Sequence, residues 1–291
     1  MHTASYFVSK EGGKVHCTLC PHVCVVVHGG YGKCRVRKNE DGVMLAESWG
    51  AVSGYHMDPI EKKPLYHYYP GSQILSVGSY GCNFRCPWCQ NAGISQCGAE
   101  TGMMRRELLP DEIVHTAASS DSMGVAYTYN EPTVWFEFMM DIARPVKERG
   151  MKNVVVTNGF INPAPLDEML EVSDAFNVDL KSFDDEVYRE YAKARLEPVL
   201  NTLKAIVAAG KHLEVTFLVV PGVNDDLERF EEMIKWLKAE AGKKVVLHVN
   251  RYYPSWKMHA APTPVKLMRR MKSIAGAHLP HVYLGNVPGE A

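Results

Sequence analysis

Cys82, Cys86 and Cys89 fall within Gly81-Cys-Asn-Phe-Arg-Cys-Pro-Trp-Cys-Gln-Asn91, a C-x3-C-x2-C spacing that puts three thiolates on one loop. An iron–sulfur cube normally takes four cysteine ligands. Three leave one iron open to an exogenous chelate, and the paired amino and carboxylate groups of a methionine moiety suit that position. Two other readings compete: a zinc knuckle, which prefers paired C-x2-C units, and cysteines acting as small buried hydrophobes. Ligand count, spacing and a place directly after an apolar strand-like run favour the cube.

A second set, Cys17, Cys20, Cys24 and Cys34, is spaced C-x2-C-x3-C-x9-C and supplies four thiolates. That closes either a tetrahedral zinc site or an auxiliary iron–sulfur cluster. The short C-x2-C knuckle and the Gly32-Lys33-Cys34 return lean toward zinc, the neighbouring cysteine loop toward iron and sulfide, and the metal stays open. His22 is a spare ligand that four cysteines make unnecessary. Cys97, the last of the eight cysteines, reads as a small buried hydrophobe.

Polar clusters follow apolar runs at five further points. Glu131, in Thr128-Tyr-Asn-Glu-Pro132, can accept from an ammonium group, or serve as an acid favoured at a helix N-terminus. Asn158, in Val156-Thr-Asn-Gly-Phe160, can reach ribose hydroxyls, although a lone Asn-Gly is mostly turn chemistry. Asn177, Asp179 and Lys181 alternate along a strand and share one face, where charge is rarely buried unless paired or functional; an Asp–Lys ion pair is the plain alternative. In Leu218-Val-Val-Pro-Gly-Val-Asn-Asp-Asp226, the turn at Val220 and Gly222 lets backbone approach a flat ring. Arg251, in His248-Val-Asn-Arg-Tyr-Tyr-Pro254, offers a bidentate fork for a carboxylate, with His248 on the opposite face.

These groups need a scaffold that delivers strand ends to one place. Strands are expected at Ile74 to Tyr80, Gly124 to Asn130, Asn153 to Gly159, Ala175 to Lys181, Leu213 to Pro221 and Val245 to Tyr253, with a last one at His281 to Gly285. Amphipathic segments lie between them, clearest in Leu227, Phe230, Met233, Ile234 and Leu237. Thr263-Pro264 reads as an N-cap and first helical residue. Alternating strands and helices predict an α/β fold with a parallel sheet. Six units fall short of a closed eight-fold barrel, so a partial (β/α)6 TIM barrel is expected at 71–291, with its chemistry at the C-terminal strand ends. Residues 1–70 read as a small cysteine-rich metal-binding module and connecting segment.

At 291 residues with net charge −1 and pI about 6.9, the chain can bury a full core and carries no global basic field for nucleic acid. No signal-like pattern opens it, and no run approaches the roughly 18 apolar residues of a membrane span. These features predict a cytoplasmic protein without disulfides.

Taken together, the motifs resemble the radical SAM superfamily, in its pyruvate formate-lyase activating-enzyme-like branch. The cysteine-rich start, Pro59-Ile-Glu-Lys-Lys-Pro-Leu-Tyr66 and Gly81 to Gln96 are similar to the AmmeMemoRadiSam system radical SAM enzyme. The resemblance implies a [4Fe-4S] cluster on Cys82, Cys86 and Cys89, and S-adenosylmethionine on the open iron. Trp88 fits the aromatic position of the cysteine motif. Glu131 aligns with the acid of the family's Gly-Gly-Glu segment, while Tyr129 and Asn130 replace its glycines. Asn158 belongs to a Thr-Asn-Gly segment, and Asp179 with Lys181 to an Asp-x-Lys pair that orients the S-adenosylmethionine carboxylate and the substrate. Val220 and Gly222 fall in the adenine-side loop; His248 and Arg251 are further candidate contacts. The implied activity is reductive cleavage of S-adenosylmethionine to a 5'-deoxyadenosyl radical, then hydrogen abstraction from a protein or peptide, as in glycyl-radical activation. A reductase such as flavodoxin or ferredoxin would supply the electron. Alternatives are radical modification of a non-glycyl peptide or small molecule, and an iron–sulfur or zinc scaffold without turnover.

Overall fold

The computed structural model describes residues 2–98, 106–242 and 244–289. Its centre is an eight-stranded sheet whose strands we number from one edge to the other: β1 (Gly54–Pro59), β2 (Gln73–Gly78), β3 (Gly124–Tyr127), β4 (Lys152–Thr157), β5 (Ala175–Asp179), β6 (His212–Val219), β7 (Val246–Arg251) and β8 (His281–Gly285). Spatial order follows chain order. From β2 onward neighbouring strands run parallel, whereas β1 returns antiparallel along β2. Strands such as Asn153-Val-Val-Val-Thr157 read as near-continuous apolar runs because helices cover a parallel sheet.

The crossovers are α1 (Pro110–Ser119), α2 (Phe136–Glu148), α3 (Pro163–Val172), α4 (Leu196–Ala208), α5 (Leu227–Glu240) and α6 (Val265–Gly276). Six strand–helix units, β2α1 to β7α6, therefore precede a last strand. The outer strands β1 and β8 lie at opposite ends of the order. The α/β fold with an open, partial barrel is thus as the sequence predicts.

Helix α5 shows how the local sequence builds a unit. Phe230, Met233, Ile234 and Leu237 are buried on one face, each contributing roughly 2 kcal/mol relative to exposure. The Asp226 carboxylate accepts from the Arg229 backbone N–H at 2.8 Å and starts the helix; Asp226→Ala would cost about 1 kcal/mol. Thr263 behaves differently from its expected capping role. Its hydroxyl donates to the Val219 carbonyl at 2.6 Å and accepts from the Tyr252 N–H at 3.0 Å, so it ties β6 to the chain after β7. Pro264 is the residue that flanks α6, with no side-chain cap.

The strands stop short of their expected ends, β3 at Tyr127 and β4 at Thr157. Just beyond, Tyr129 and Gly159 take φ of +70°, a left-handed conformation that cannot continue a strand. The polar motifs accordingly sit on loops at the strand ends.

Ahead of the sheet lie a three-stranded antiparallel sheet (Phe7–Lys10, Lys14–Cys17, Val25–Val26) and a hairpin (Arg37–Glu40 with Val43–Ala46). Strand β1 falls within the stretch read as the N-terminal module, yet by its hydrogen bonds it belongs to the central sheet. A buried ion pair joins module to barrel: Arg37 Nη1 lies 2.9 Å from both carboxylate oxygens of Glu137 in α2, and the Ser5 N–H donates to Glu137 at 2.7 Å. Removing one partner of such a pair costs about 3–5 kcal/mol, because the other charge stays buried.

Candidate active site

A cavity of about 320 Å3 opens at the C-terminal ends of the parallel strands. Its wall takes Glu131 from beyond β3, Asn158 from beyond β4, Asp179 and Lys181 from the end of β5, Leu218 from β6, Asn250 from β7 and Asn286 from beyond β8. The loop after β2 adds Cys82, Cys86, Trp88 and Cys89. Every strand from β2 to β8 thus contributes at the end where βα barrels carry their chemistry.

The cysteine loop is fixed from several sides. Asn130 accepts from the Ser79 N–H at 2.9 Å and donates to the Gly81 carbonyl at 2.9 Å. Gly81 has φ of +82°, and a side chain there would strike the Cys34 carbonyl at 2.7 Å, so both conformation and space require glycine. The Phe84 N–H and the Asn158 amide point at Cys82 Sγ, at 3.3 and 3.8 Å. Burial pushes the Cys86 thiol up to about 12, with Lys181 working the other way. A thiol so placed ionises on binding a cation, which releases its proton.

The donor set fits an iron–sulfur cube. Three cysteines share the cavity, and Cys97 instead donates to the Ile94 carbonyl at 3.1 Å. Among the described residues, no three of the chain's cysteine sulfurs lie within 4.8 Å of one another. Four thiolates on a single tetrahedral zinc, with bonds of about 2.3 Å, would sit about 3.8 Å apart. A cube spreads its thiolates over separate irons.

Glu131 is buried, 3 % exposed. Its carboxylate accepts from the Thr133 N–H at 3.0 Å, the Thr157 hydroxyl at 2.7 Å and the Asn158 N–H at 2.8 Å. Burial raises its pKa, and those neutral donors do not offset it. It caps the short helix Pro132–Trp135 and also lines the cavity. Lys181 Nζ lies 3.0 Å from the Asp179 carboxylate. Burial works against its charge, but Asp179 and the nearby Cys86 sulfur outweigh it and raise its pKa. Trp88 is buried beside Tyr191, ring centroids 5.7 Å apart.

Four expected contacts lie outside the cavity wall. Val220 is fully buried, its N–H donating to Asn224 Oδ1 at 2.7 Å, and the Gly222 N–H donates to Asp225 at 3.0 Å. That turn is closed on its own side chains. Its link to the cavity is Asn224, which donates to the Lys181 carbonyl at 2.7 Å. His248 is buried and donates to Glu214 at 2.6 Å. Arg251 donates to the Thr263 carbonyl at 2.8 Å and the Tyr253 hydroxyl at 3.1 Å. Val220 and His248 are buried, Gly222 is exposed and Arg251 is half-buried, and the hydrogen bonds named here run to other parts of the protein.

Conversely, Lys62 and Lys63, which the sequence places only within a family-like segment, and Tyr129, which it shows only in place of a glycine, also line the cavity. Strand β1 brings Asp58 to Lys63 at 2.8 Å, Lys62 at 3.0 Å and the Tyr129 hydroxyl at 2.6 Å. Burial would raise the Asp58 pKa, but these three partners hold it well below the usual range. The Tyr129 ring covers Gly54 and Gly78, where a side chain would meet it at 2.5 and 2.9 Å. The dense charge and aromatic content of residues 57 to 71 was the available signal; antiparallel pairing of β1 turned it toward the cavity.

An open parallel barrel with a three-cysteine loop at its mouth defines a class, and the match to a family agrees: residues 76–237 fit the Radical SAM superfamily, to which the chain belongs. Membership implies a [4Fe-4S] cluster and S-adenosylmethionine. The chain is 41% identical to "Uncharacterized protein MJ0808" of Methanocaldococcus jannaschii over 291 residues, covering 99% of this chain and 86% of that one. It is 26% identical over 160 residues to the "Pyruvate formate-lyase 1-activating enzyme" of Escherichia coli strain K12, covering 54% of this chain and 65% of the enzyme. Streptococcus suis SuiB bound to S-adenosylmethionine shares the fold, with a TM-score of 0.57 at 14% identity over 72% of this chain and 49% of SuiB. Among the described residues, no helix is long and apolar enough to cross a membrane.

Proposed function

We propose that the chain cleaves S-adenosylmethionine reductively and uses the resulting radical on a protein or peptide, in the manner of a glycyl-radical activating enzyme. The observation that carries this reading is the convergence of Cys82, Cys86, Cys89, Trp88, Glu131, Asn158, Asp179 and Lys181 on one cavity. Cys82, Cys86 and Cys89 would hold the [4Fe-4S] cluster, which with bound S-adenosylmethionine supplies a 5'-deoxyadenosyl radical. Glu131, a buried acid with only neutral donors among the described residues, accepts the ligand's ammonium. Lys181 pairs with its carboxylate, and Asp179 positions Lys181. Asn158 reaches the ribose and Trp88 forms an apolar wall that helps to exclude water. Likeness to the E. coli activating enzyme supports a backbone glycine as hydrogen donor, a flavodoxin- or ferredoxin-like reductant and a cytoplasmic setting. Within the superfamily, we assign the chain to the AmmeMemoRadiSam system on its cysteine-rich start and Pro59–Tyr66 segment.

A second reading, radical modification of a non-glycyl peptide or small molecule, is favoured by Tyr129 and Asn130 standing where activating enzymes carry glycines. Anaerobic reconstitution, then chromatographic measurement of 5'-deoxyadenosine with dithionite as reductant, tests the shared step. The parent should form it and Cys86→Ala should not; equal formation by both sinks the assignment. Paramagnetic resonance on a mixture with a candidate partner separates the two readings, since only activation leaves a glycyl doublet.

A further inference from the structure

The four N-terminal cysteines lie outside the cavity described above, and their surroundings are specific enough to name what they hold. Cys17, Cys20, Cys24 and Cys34 line one small cavity together with His22 and Arg37. The turn at Gly32 brings two of them close: a side chain at Gly32 would meet Cys34 Sγ at 3.7 Å and Cys24 Sγ at 3.8 Å. Cys17 and Cys34 are buried. His22 is otherwise engaged, with Nε2 2.7 Å from the Asn83 carbonyl and Nδ1 3.4 Å from Lys33 Nζ, which leaves the four thiols as the donor set.

One observation separates a single ion from a cluster, and a second shows that the site awaits an acceptor. No three of these sulfurs lie within 4.8 Å of one another, whereas one zinc would hold all four about 3.8 Å apart. Arg37 is only 1 % exposed, and its Nε is buried without a hydrogen-bond partner, although Glu137 and Ser5 satisfy the other end of the guanidinium. Arg37 lines the same cavity as the four cysteines, and a buried N–H calls for an acceptor, because leaving it unmade costs about 1–3 kcal/mol. Metal-bound thiolates are acceptors of that kind, and so are the bridging sulfides of a cluster, so the orphaned N–H marks a site built for an anionic sulfur centre while the sulfur spacing selects the cluster.

The module also grips the other cysteine loop. His22 binds the Asn83 carbonyl, between Cys82 and Cys86. Arg85 donates to the Cys82 and Phe84 carbonyls at 3.0 and 3.1 Å and reaches the Lys33 carbonyl. Arg35 donates to the Gln96 carbonyl at 2.6 Å.

We propose that Cys17, Cys20, Cys24 and Cys34 bind a second, fully cysteine-ligated [4Fe-4S] cluster, with Arg37 donating to it, packed against the loop of the first. The assignment is independent of the function proposed for Cys82, Cys86 and Cys89. It is tested in the full chain carrying Cys82→Ala, Cys86→Ala and Cys89→Ala together, purified and reconstituted without oxygen. Iron, acid-labile sulfide and zinc are counted, and a dithionite-reduced sample is read by paramagnetic resonance. This variant should keep about four irons and four sulfides per chain and a reduced-cluster signal, and the parent should hold about twice that. One zinc per chain without sulfide overturns the proposal, as does a variant that melts like the parent yet carries no metal. Should the triple variant not fold, the parent decides against Cys17→Ala/Cys20→Ala. A fall from about eight irons to about four supports the second cluster; a parent with about four irons and one zinc overturns it.

Discussion

Two buried glutamates in the same barrel meet opposite fates. Glu131, at the mouth, receives only neutral donors among the described residues, and burial raises its pKa. Glu214, deeper on the inner face of β6, is 0 % exposed yet held down at about 2. Burial pushes it up as well, but His212 at 2.9 Å, His248 at 2.6 Å and the backbone N–H groups of His67 and Tyr66 at 2.7 and 3.0 Å more than offset that. The lower acid is satisfied, and it anchors the segment around Tyr66 against the barrel. The upper acid has no cationic partner among the described residues. A buried carboxylate paired within the protein supports the fold; one that lines a cavity and lacks a cationic partner suits a ligand's ammonium.

That contrast breaks if both acids prove structural or both prove to bind ligand. The largest effect is expected from Glu214→Ala, which should lower the unfolding free energy by about 3–5 kcal/mol in urea titrations while S-adenosylmethionine affinity of the folded protein stays within about twofold. Loss of affinity without loss of stability would move Glu214 into the site. Acid titration comes next. With a folded pKa below its ordinary 4.5, Glu214 stabilises fully above that value and loses its contribution, about 3 kcal/mol, as pH falls toward about 2. Glu131 has the opposite sign, since a raised pKa favours the fold below its ordinary value and that contribution is lost as pH rises from there through the raised one. Urea midpoints from pH 5 to pH 2 should therefore fall more steeply in the parent than in Glu214→Ala; parallel curves would contradict the pairing.

Glu131→Gln should weaken S-adenosylmethionine binding by roughly 10- to 100-fold in calorimetry on the reconstituted protein, the worth of a charged hydrogen bond of about 1.5–3 kcal/mol. An unchanged affinity would make Glu131 a helix cap alone. Thr263→Val is the smallest, about 1–2 kcal/mol of stability, because a Tyr252 N–H and a Val219 carbonyl would lose their partner. No measurable loss would contradict the role of Thr263 as a tie between β6 and the chain after β7.

Much of this molecule was legible in its residues. Apolar runs alternating with amphipathic segments predict the six units, and the motifs at their ends predict Glu131, Asn158, Asp179 and Lys181 on one cavity wall. Glu214, Thr216 and Leu218 show where such reading stops. Alternation gives all three the same inward face, but only Thr216 and Leu218 line the cavity, because depth along the barrel is a property of register and not of period. His248 was read as a contact for the same reason: its distance from the mouth and its pairing with Glu214 come from a neighbouring strand. The turn at Val220 and Gly222 has suitable residues for approaching a ring, yet Asn224 and Asp225 consume its N–H groups.

By itself the sequence determined the donor chemistry and the scaffold class, since ligand count follows from cysteine spacing and a parallel sheet follows from strands separated by helices. Tertiary structure decided which polar groups remain available. Strand β1 folds back antiparallel and brings Lys62 and Lys63 to the cavity, and the N-terminal module sets Cys34 against Gly81 beside the cysteine loop. Hydrogen-bond partners far apart in the chain settle whether a buried charge is spent on the fold or left for a ligand, and pairing at a distance leaves no mark in local sequence.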